Sequence, residues 1–328
     1  MNDELPNGTA GHPVIEPELR RFLDDPENKA RPGWHEMGAK LARVGYRVVS
    51  LANGRGPTPE LIEDLQIAGV PCRQYVPHSP LPGLICYFHG GGKVMGDLET
   101  HDATCRRVAV QSGRRVVAVD YRLAPEHPHP AAADDCEAVT RAAAIGFEVP
   151  LQQTVVMGDS AGGYLAAVVA IRLRDSGRSL AGQCLLYPST DPTMTTRSYS
   201  EFATGYGLSA ETMKWFWAMY LGAKSADELA PQAVPARVSS VDGLPPAFVL
   251  TCEFDVLRDE GEAYARRLCD GGVPTRLVRW PKVIHGFIQL AGVAQSGELA
   301  THDAADVAGA MIDGRFMELA MTSCEAVG

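Results

Sequence analysis

From about Leu81 onward the chain alternates short apolar runs with amphipathic stretches. Leu84-Ile85-Cys86-Tyr87-Phe88 is one such run, and others lie at 116–119, 154–157, 184–187, 247–250 and 275–278. Each is short, mostly apolar and bounded by Gly, Pro or polar residues, which predicts buried strands. Between them, residues 100–111 and 161–174 carry helical spacing, with Leu165, Val168, Val169 and Leu173 along one face of the second. Continuous apolar strands alternating with helices imply a parallel sheet covered on both faces. Right-handed crossovers then give an open α/β sheet. Two segments break this rhythm. Residues 1–54 hold helical stretches at 17–25 and 34–52, and residues 189–241 hold Trp215-Phe216-Trp217 and Tyr220 without strands. The expected organisation is an α/β catalytic domain formed by 55–188 and 242–328, with a helical cap formed by 1–54 and 189–241.

Composition narrows the function classes. With 328 residues, 45% of them hydrophobic and 21% charged, the chain suits a folded protein with a large core. A formal net charge of −10 argues against nucleic-acid binding and against an electrostatic membrane anchor, both of which need clustered Lys and Arg. The acidic start Met1-Asn2-Asp3-Glu4 does not read as a signal peptide, and no apolar run has a membrane-spanning length. Eight cysteines (Cys72, Cys86, Cys105, Cys136, Cys184, Cys252, Cys269 and Cys324) are scattered singly without a C-x-x-C. Reduced thiols and a cytoplasmic location are therefore expected. His101 and Cys105 stand four apart on a predicted helix, a metal-compatible spacing, but no second pair accompanies them. No metal and no cofactor is expected.

The chemistry-bearing motifs sit at strand ends. Gly158-Asp159-Ser160-Ala161-Gly162 matches G-x-S-x-G between a predicted strand and a predicted helix, the context of a nucleophile elbow. A sharp turn there holds the Ser160 hydroxyl clear of the sheet, and a Cβ at Gly158 or Gly162 would collide with neighbouring backbone. Upstream, His89-Gly90-Gly91-Gly92 directly follows the first strand. A glycine run there lets backbone N–H groups face a substrate oxygen, and the N–H of Ala161 completes such a hole. Asp255 and His285 each follow a predicted strand, in the order Ser, acid, His. Rival acids are Asp242, Asp259 and Asp270, and the rival base is His302 in a predicted surface helix.

Together these segments resemble the bacterial hormone-sensitive-lipase-like family of α/β-hydrolases. The matching stretches are Tyr87-Phe88-His89-Gly90-Gly91-Gly92, Gly96-Asp97-Leu98-Glu99-Thr100-His101-Asp102 and Asp120-Tyr121-Arg122-Leu123-Ala124-Pro125-Glu126. Gly158 to Gly163, Tyr187-Pro188, Glu253-Phe254-Asp255 and Ile284-His285-Gly286-Phe287 complete the set. The resemblance implies an eight-stranded, mostly parallel sheet with helices on both faces and a helical cap. It also implies hydrolysis of small carboxylic esters with short to medium acyl chains, and a homodimer. Carried over by residue, Ser160 is the nucleophile, His285 the general base and acid, Asp255 its orienter, and Gly91, Gly92 and Ala161 the oxyanion donors. Gly90 is expected to be a turn residue. Lys93 departs from the pattern, because relatives often carry a large apolar or aromatic residue there. Its expected fate is either to snorkel to solvent or to favour an acidic substrate group.

The expected reaction is two-step acyl transfer through an acyl-enzyme, slowing as pH falls and the imidazole protonates. An amidase or aminoacyl-peptide hydrolase could use the same triad. A lipase would be activated at an oil interface. A non-catalytic binding module would normally lack a triad member, and all three are present.

Overall fold

The computed structural model describes residues 14–320; the first 13 residues of the expected cap segment, and Cys324, lie outside them. Its strands are β1 (Leu61–Ile67), β2 (Val70–Val76), β3 (Leu84–Phe88), β4 (Arg115–Val119), β5 (Thr154–Asp159), β6 (Gly182–Leu186), β7 (Ala247–Phe254) and β8 (Thr275–Ile284). They form one eight-stranded sheet in the order β1-β2-β4-β3-β5-β6-β7-β8. Only β2 runs against its neighbours, and every pairing from β4 to β8 is parallel.

Burial explains which strands the apolar pattern announces. Every residue of β3, β5 and β6 is buried, as central parallel strands require when helices cover both faces. Edge strand β1 has a single buried residue, Ile67, and carries charges on a half-wet surface. The β1–β2 hairpin therefore lacks the continuous apolar run that marks the other six, and turns through Ala68 and Gly69, both at positive φ. Strand β8 also runs six residues past the stretch at 275–278, with a register irregularity against β7 between Cys252 and Phe254.

Helices α1 (Pro17–Asp24), α2 (Pro26–Ala30) and α3 (Trp34–Ser50) precede the sheet, and α3 is interrupted at Gly38 (φ 71°). Helices α4 (Asp102–Ser112), α5 (Ala131–Gly146), α6 (Ala161–Asp175), α7 (Ser198–Glu201), α8 (Ala210–Leu221), α9 (Arg258–Asp270), α10 (Gln295–Ile312) and α11 (Met317–Ala320) follow. Helices α4 and α10 pack together on one side of the sheet, α5 and α6 pack together against β3, β5 and β6, and α9 lies on β7 and β8. Helix α3 reaches over to touch α8. Among the described residues no helix is long and apolar enough to cross a membrane. Cys72, Cys86, Cys105, Cys136, Cys184 and Cys252 are free and buried. Cys269 is disulfide-bonded, which corrects the expectation of reduced thiols throughout: scattered sequence positions do not reveal which thiols the tertiary fold brings together.

Candidate active site

Strand β5 ends at Asp159 and α6 begins at Ala161, so Ser160 alone makes the turn between them, at φ 54° and ψ −116°. A non-glycine residue is held there only when its surroundings over-determine it. They do so here. A Cβ on Gly162 would fall on the Phe88 carbonyl, and one on Gly158 would fall on the Gly162 backbone, so both glycines let strand and helix close up. The Ser160 N–H donates to the Leu186 carbonyl at 2.8 Å, fixing the turn to β6.

Ser160 Oγ lies 2.9 Å from His285 Nε2, and His285 Nδ1 lies 2.7 Å from Asp255 Oδ2. Asp255 is buried, and its other oxygen accepts the Leu257 N–H at 2.9 Å. The Tyr187 ring meets the His285 ring edge-on at 4.9 Å. Asp255 follows β7 and His285 follows β8, so three strand ends feed one crevice at the carboxyl edge of the sheet, where open α/β sheets place their ligands. The rivals stand elsewhere. Asp259 accepts the Ser198 N–H at 2.8 Å and pairs with Arg258. Asp242 and Asp270 are exposed, and His302 faces Glu298 on α10.

The glycine turn after β3 is held from below by a buried network. The Gly90 N–H donates to Asp159 Oδ1 at 3.0 Å, and the same oxygen accepts the Tyr87 hydroxyl at 2.9 Å. His101 Nε2 stands 3.2 Å from this carboxylate. Burial pushes the Asp159 carboxyl up, but the charge and hydrogen bond of His101, the Tyr87 hydroxyl and the charge of His89 outweigh it and hold the group below its usual value. His89 stacks on Tyr121 at 4.1 Å, and Tyr121 donates its hydroxyl to the His89 carbonyl at 2.7 Å. Burial holds the His89 imidazole down to about 4, so it is neutral near pH 7, with its Nδ1 2.8 Å from the Gly90 carbonyl. Gly90 thus spends its N–H on the protein. Those of Gly91, Gly92 and Ala161 have no protein acceptor among the described residues. Gly91 and Gly92 adopt φ of 109° and 67°, a region that favours glycine.

A cavity of about 320 Å³ opens on Gly91, Gly92, Ser160 and His285, walled by Trp34 and Tyr46 of α3 and Phe216 of α8. The volume lies at the small end of small-molecule sites. A Cβ on Gly92 would enter the Phe216 ring, so α8 packs directly on the glycine turn. Lys93 fits neither expectation. It is 1% exposed and is absent from the cavity wall, because its left-handed backbone (φ 64°) turns the side chain inward. His101 belongs to the Asp159 network, and His129 Nδ1 lies 3.2 Å from the Tyr220 hydroxyl. Among the described residues no three His, Cys, Asp or Glu gather as metal ligands.

Asp159, Tyr87 and Tyr121 were not marked by the sequence as site residues, whereas Phe216 belongs to the aromatic run that the sequence placed in the cap. Asp159 occupies the variable place of G-x-S-x-G, and its partners come from β3, the turn after it and the residue just before α4, so only tertiary contact reveals its role.

Comparison with known proteins agrees with this fold. Residues 85–289 match the family model described as the alpha/beta hydrolase fold. The chain is 38% identical to Esterase LipI of Mycobacterium tuberculosis, across 91% of this chain and 95% of that protein. It is 34% identical to the ethyl acetate hydrolase of Pseudomonas putida, across 87% and 95%. Among solved structures it is similar to the ester-hydrolase EH1AB1 from the metagenome of Lake Arreo, complexed with a derivative of bipyridine phosphonate. The two share 39% identity and a TM-score of 0.85, covering 92% of this chain and 100% of that one. The Pyrobaculum calidifontis esterase matches at 38% identity and a TM-score of 0.83, covering 90% and 99%. The chain belongs to the α/β-hydrolase fold family, in the hormone-sensitive-lipase-like class that its motifs resemble.

Proposed function

We propose that this protein is a carboxylic ester hydrolase acting by serine-based acyl transfer on small esters with short to medium acyl chains. One observation carries the reading: Ser160, His285 and Asp255 form a continuous hydrogen-bonded relay of 2.9 and 2.7 Å, opening on a cavity beside three unused N–H groups. In the first step His285 Nε2 takes the hydroxyl proton as Ser160 Oγ bonds to the ester carbonyl carbon. The resulting oxyanion is met by the N–H groups of Gly91, Gly92 and Ala161. Collapse breaks the bond to the alkoxy oxygen, which leaves with the proton from His285. Water then attacks the acyl-enzyme with His285 again as base, releasing the acid and restoring Ser160. Asp255 orients the imidazole and steadies its charged form.

We also propose that residues 1–54 and 189–241 act as a cap over this site; Trp34, Tyr46 and Phe216 on the cavity wall support it. The small cavity supports the restriction to shorter acyl chains. A homodimer, implied by the family resemblance, belongs to the same reading and is decided by light scattering. Six free thiols fit a cytoplasmic location, and the disulfide at Cys269 stands against it.

Hydrolysis of p-nitrophenyl acetate, butyrate, octanoate and palmitate, beside an anilide, tests the function with wild type and Ser160→Ala. Ester turnover that peaks at short chains and vanishes in the variant is expected. Anilide cleavage outrunning the esters would make the protein an amidase, and a folded wild type without turnover would defeat catalysis by this relay.

A further inference from the structure

Lys93 follows Gly91 and Gly92, which line the cavity, while its own side chain is absent from the cavity wall. Its ammonium lies 3.6 Å from the centroid of Trp217, 4.5 Å from that of Tyr164 and 4.8 Å from that of Tyr220. All three rings are buried, and Tyr164 meets Trp217 and Tyr220 edge-on. No carboxylate pairs with this ammonium among the described residues. It is a buried cation solvated by three aromatic faces, with the indole, the best such face, nearest.

The cage joins three elements. Tyr164 stands on α6, the helix that begins beside Ser160, and its hydroxyl donates to the Ala233 carbonyl at 2.8 Å. Trp217 and Tyr220 stand on α8, the first next to and the second one turn beyond the Phe216 that packs on Gly92. The Lys93 carbonyl accepts the Ala124 N–H at 2.9 Å, and Arg43 holds the next carbonyl, that of Val94, at 2.8 Å. The turn is thus fastened at its backbone on one side, while the lysine side chain reaches the nucleophile helix and α8 on the other.

We propose that Lys93 is a positioning residue for acyl transfer: its caged ammonium pins the Gly91–Gly92 turn to α6 and α8, holding the oxyanion donors in register with Ser160. The inference rests on the esterase reading above. A methionine of similar shape would occupy the cage without the desolvation that a buried ammonium suffers, so stability alone gives no reason for a lysine here.

Charge makes the idea testable. Burial pulls the Lys93 ammonium down to about 7, and Glu260 on α9 opposes the shift only where it is ionised; the aromatic faces also favour the charged form. Arg172 on α6, His129 beside Tyr220, and Asp134, Cys136 and Lys224 next to these are the other ionisable side chains around the cage, with the Tyr164 and Tyr220 hydroxyls themselves held neutral by burial. As pH rises through the lysine's range the pin is lost, so kcat should fall on the alkaline side, opposite in sign to the imidazole limb.

The experiment compares wild type, Lys93→Met, Trp217→Leu and the double variant on p-nitrophenyl butyrate from pH 5 to 10, with thermal melting alongside. Lys93→Met should lower kcat about tenfold, a modest share of what one lost donor costs, with KM within about twofold and the melting temperature kept or raised. Its kcat profile should lack the alkaline limb. Trp217→Leu should lose kcat similarly, and the double variant no more than either single one. Wild-type kcat with an unchanged profile in Lys93→Met overturns the proposal, as does a kcat loss that tracks a lowered melting temperature and keeps the limb. If wild type itself shows no turnover, the esterase reading falls first and this inference falls with it.

Discussion

Tyr87→Phe removes one oxygen from the interior and tests the network beneath the glycine turn. The Tyr87 side chain is fully buried, and burial holds its phenol far above its ordinary range, so it donates to Asp159 Oδ1 at every working pH. A hydrogen bond to a charged acceptor contributes about 1.5–3 kcal/mol. The variant creates almost no cavity, and Asp159 keeps the Gly90 N–H and His101 as partners. A stability loss of about 1.5–3 kcal/mol at pH 8 is therefore expected, or a fall of about 3–12 °C in melting temperature at about 2–4 °C per kcal/mol. The sign of the pH dependence follows from the lowered Asp159 carboxyl. Its stabilisation is present above the unfolded carboxyl value and is lost as pH falls through the folded one. The gap between wild type and variant should therefore be full near neutrality and close on acidification. Activity should fall less than stability, because Gly90 keeps its acceptor. Guanidinium unfolding at pH 8 and at the lowest pH where wild type folds measures both. A loss under about 0.5 kcal/mol at pH 8, or a gap independent of pH, would refute an ionised, Tyr87-supported Asp159.

Other outcomes follow from single contacts. Gly92→Ala should cost about 10²–10³ in kcat, the price of one displaced donor, since its Cβ enters the Phe216 ring; adding Phe216→Ala should recover part of it, and no recovery would show that strain at φ 67° dominates. Burial pushes the Glu260 carboxyl up to about 8. The neutral acid is thus favoured in the fold, and that stabilisation, complete below the unfolded carboxyl value, is lost as pH rises through about 8. Melting curves of Glu260→Gln should accordingly lose less stability than wild type between pH 6 and 9, and parallel curves would contradict an uncharged Glu260.

Much of the molecule was legible in one dimension. The central strands announce themselves because parallel strands buried on both faces admit only apolar residues, and the β5 elbow does so because Gly158 and Gly162 have backbone where a side chain would go. Ser160, Asp255 and His285 could be chosen because each follows a strand, and strand ends converge at one edge of such a sheet. The β1–β2 hairpin escaped because a half-exposed edge has no continuous apolar run. Contacts across elements escaped for a different reason. That Asp159 would hold Gly90, that Phe216 would pack on Gly92, and that Lys93 would turn away from the cavity into Trp217, Tyr164 and Tyr220 depended on which side chains meet when elements distant in sequence pack together. Local spacing determines elements and their ends, because backbone hydrogen bonding and burial act over a few residues. Which distant groups share a dry, low-dielectric volume, and so which of them are charged, positioned or unpaired, was decided only by the packing of the whole chain.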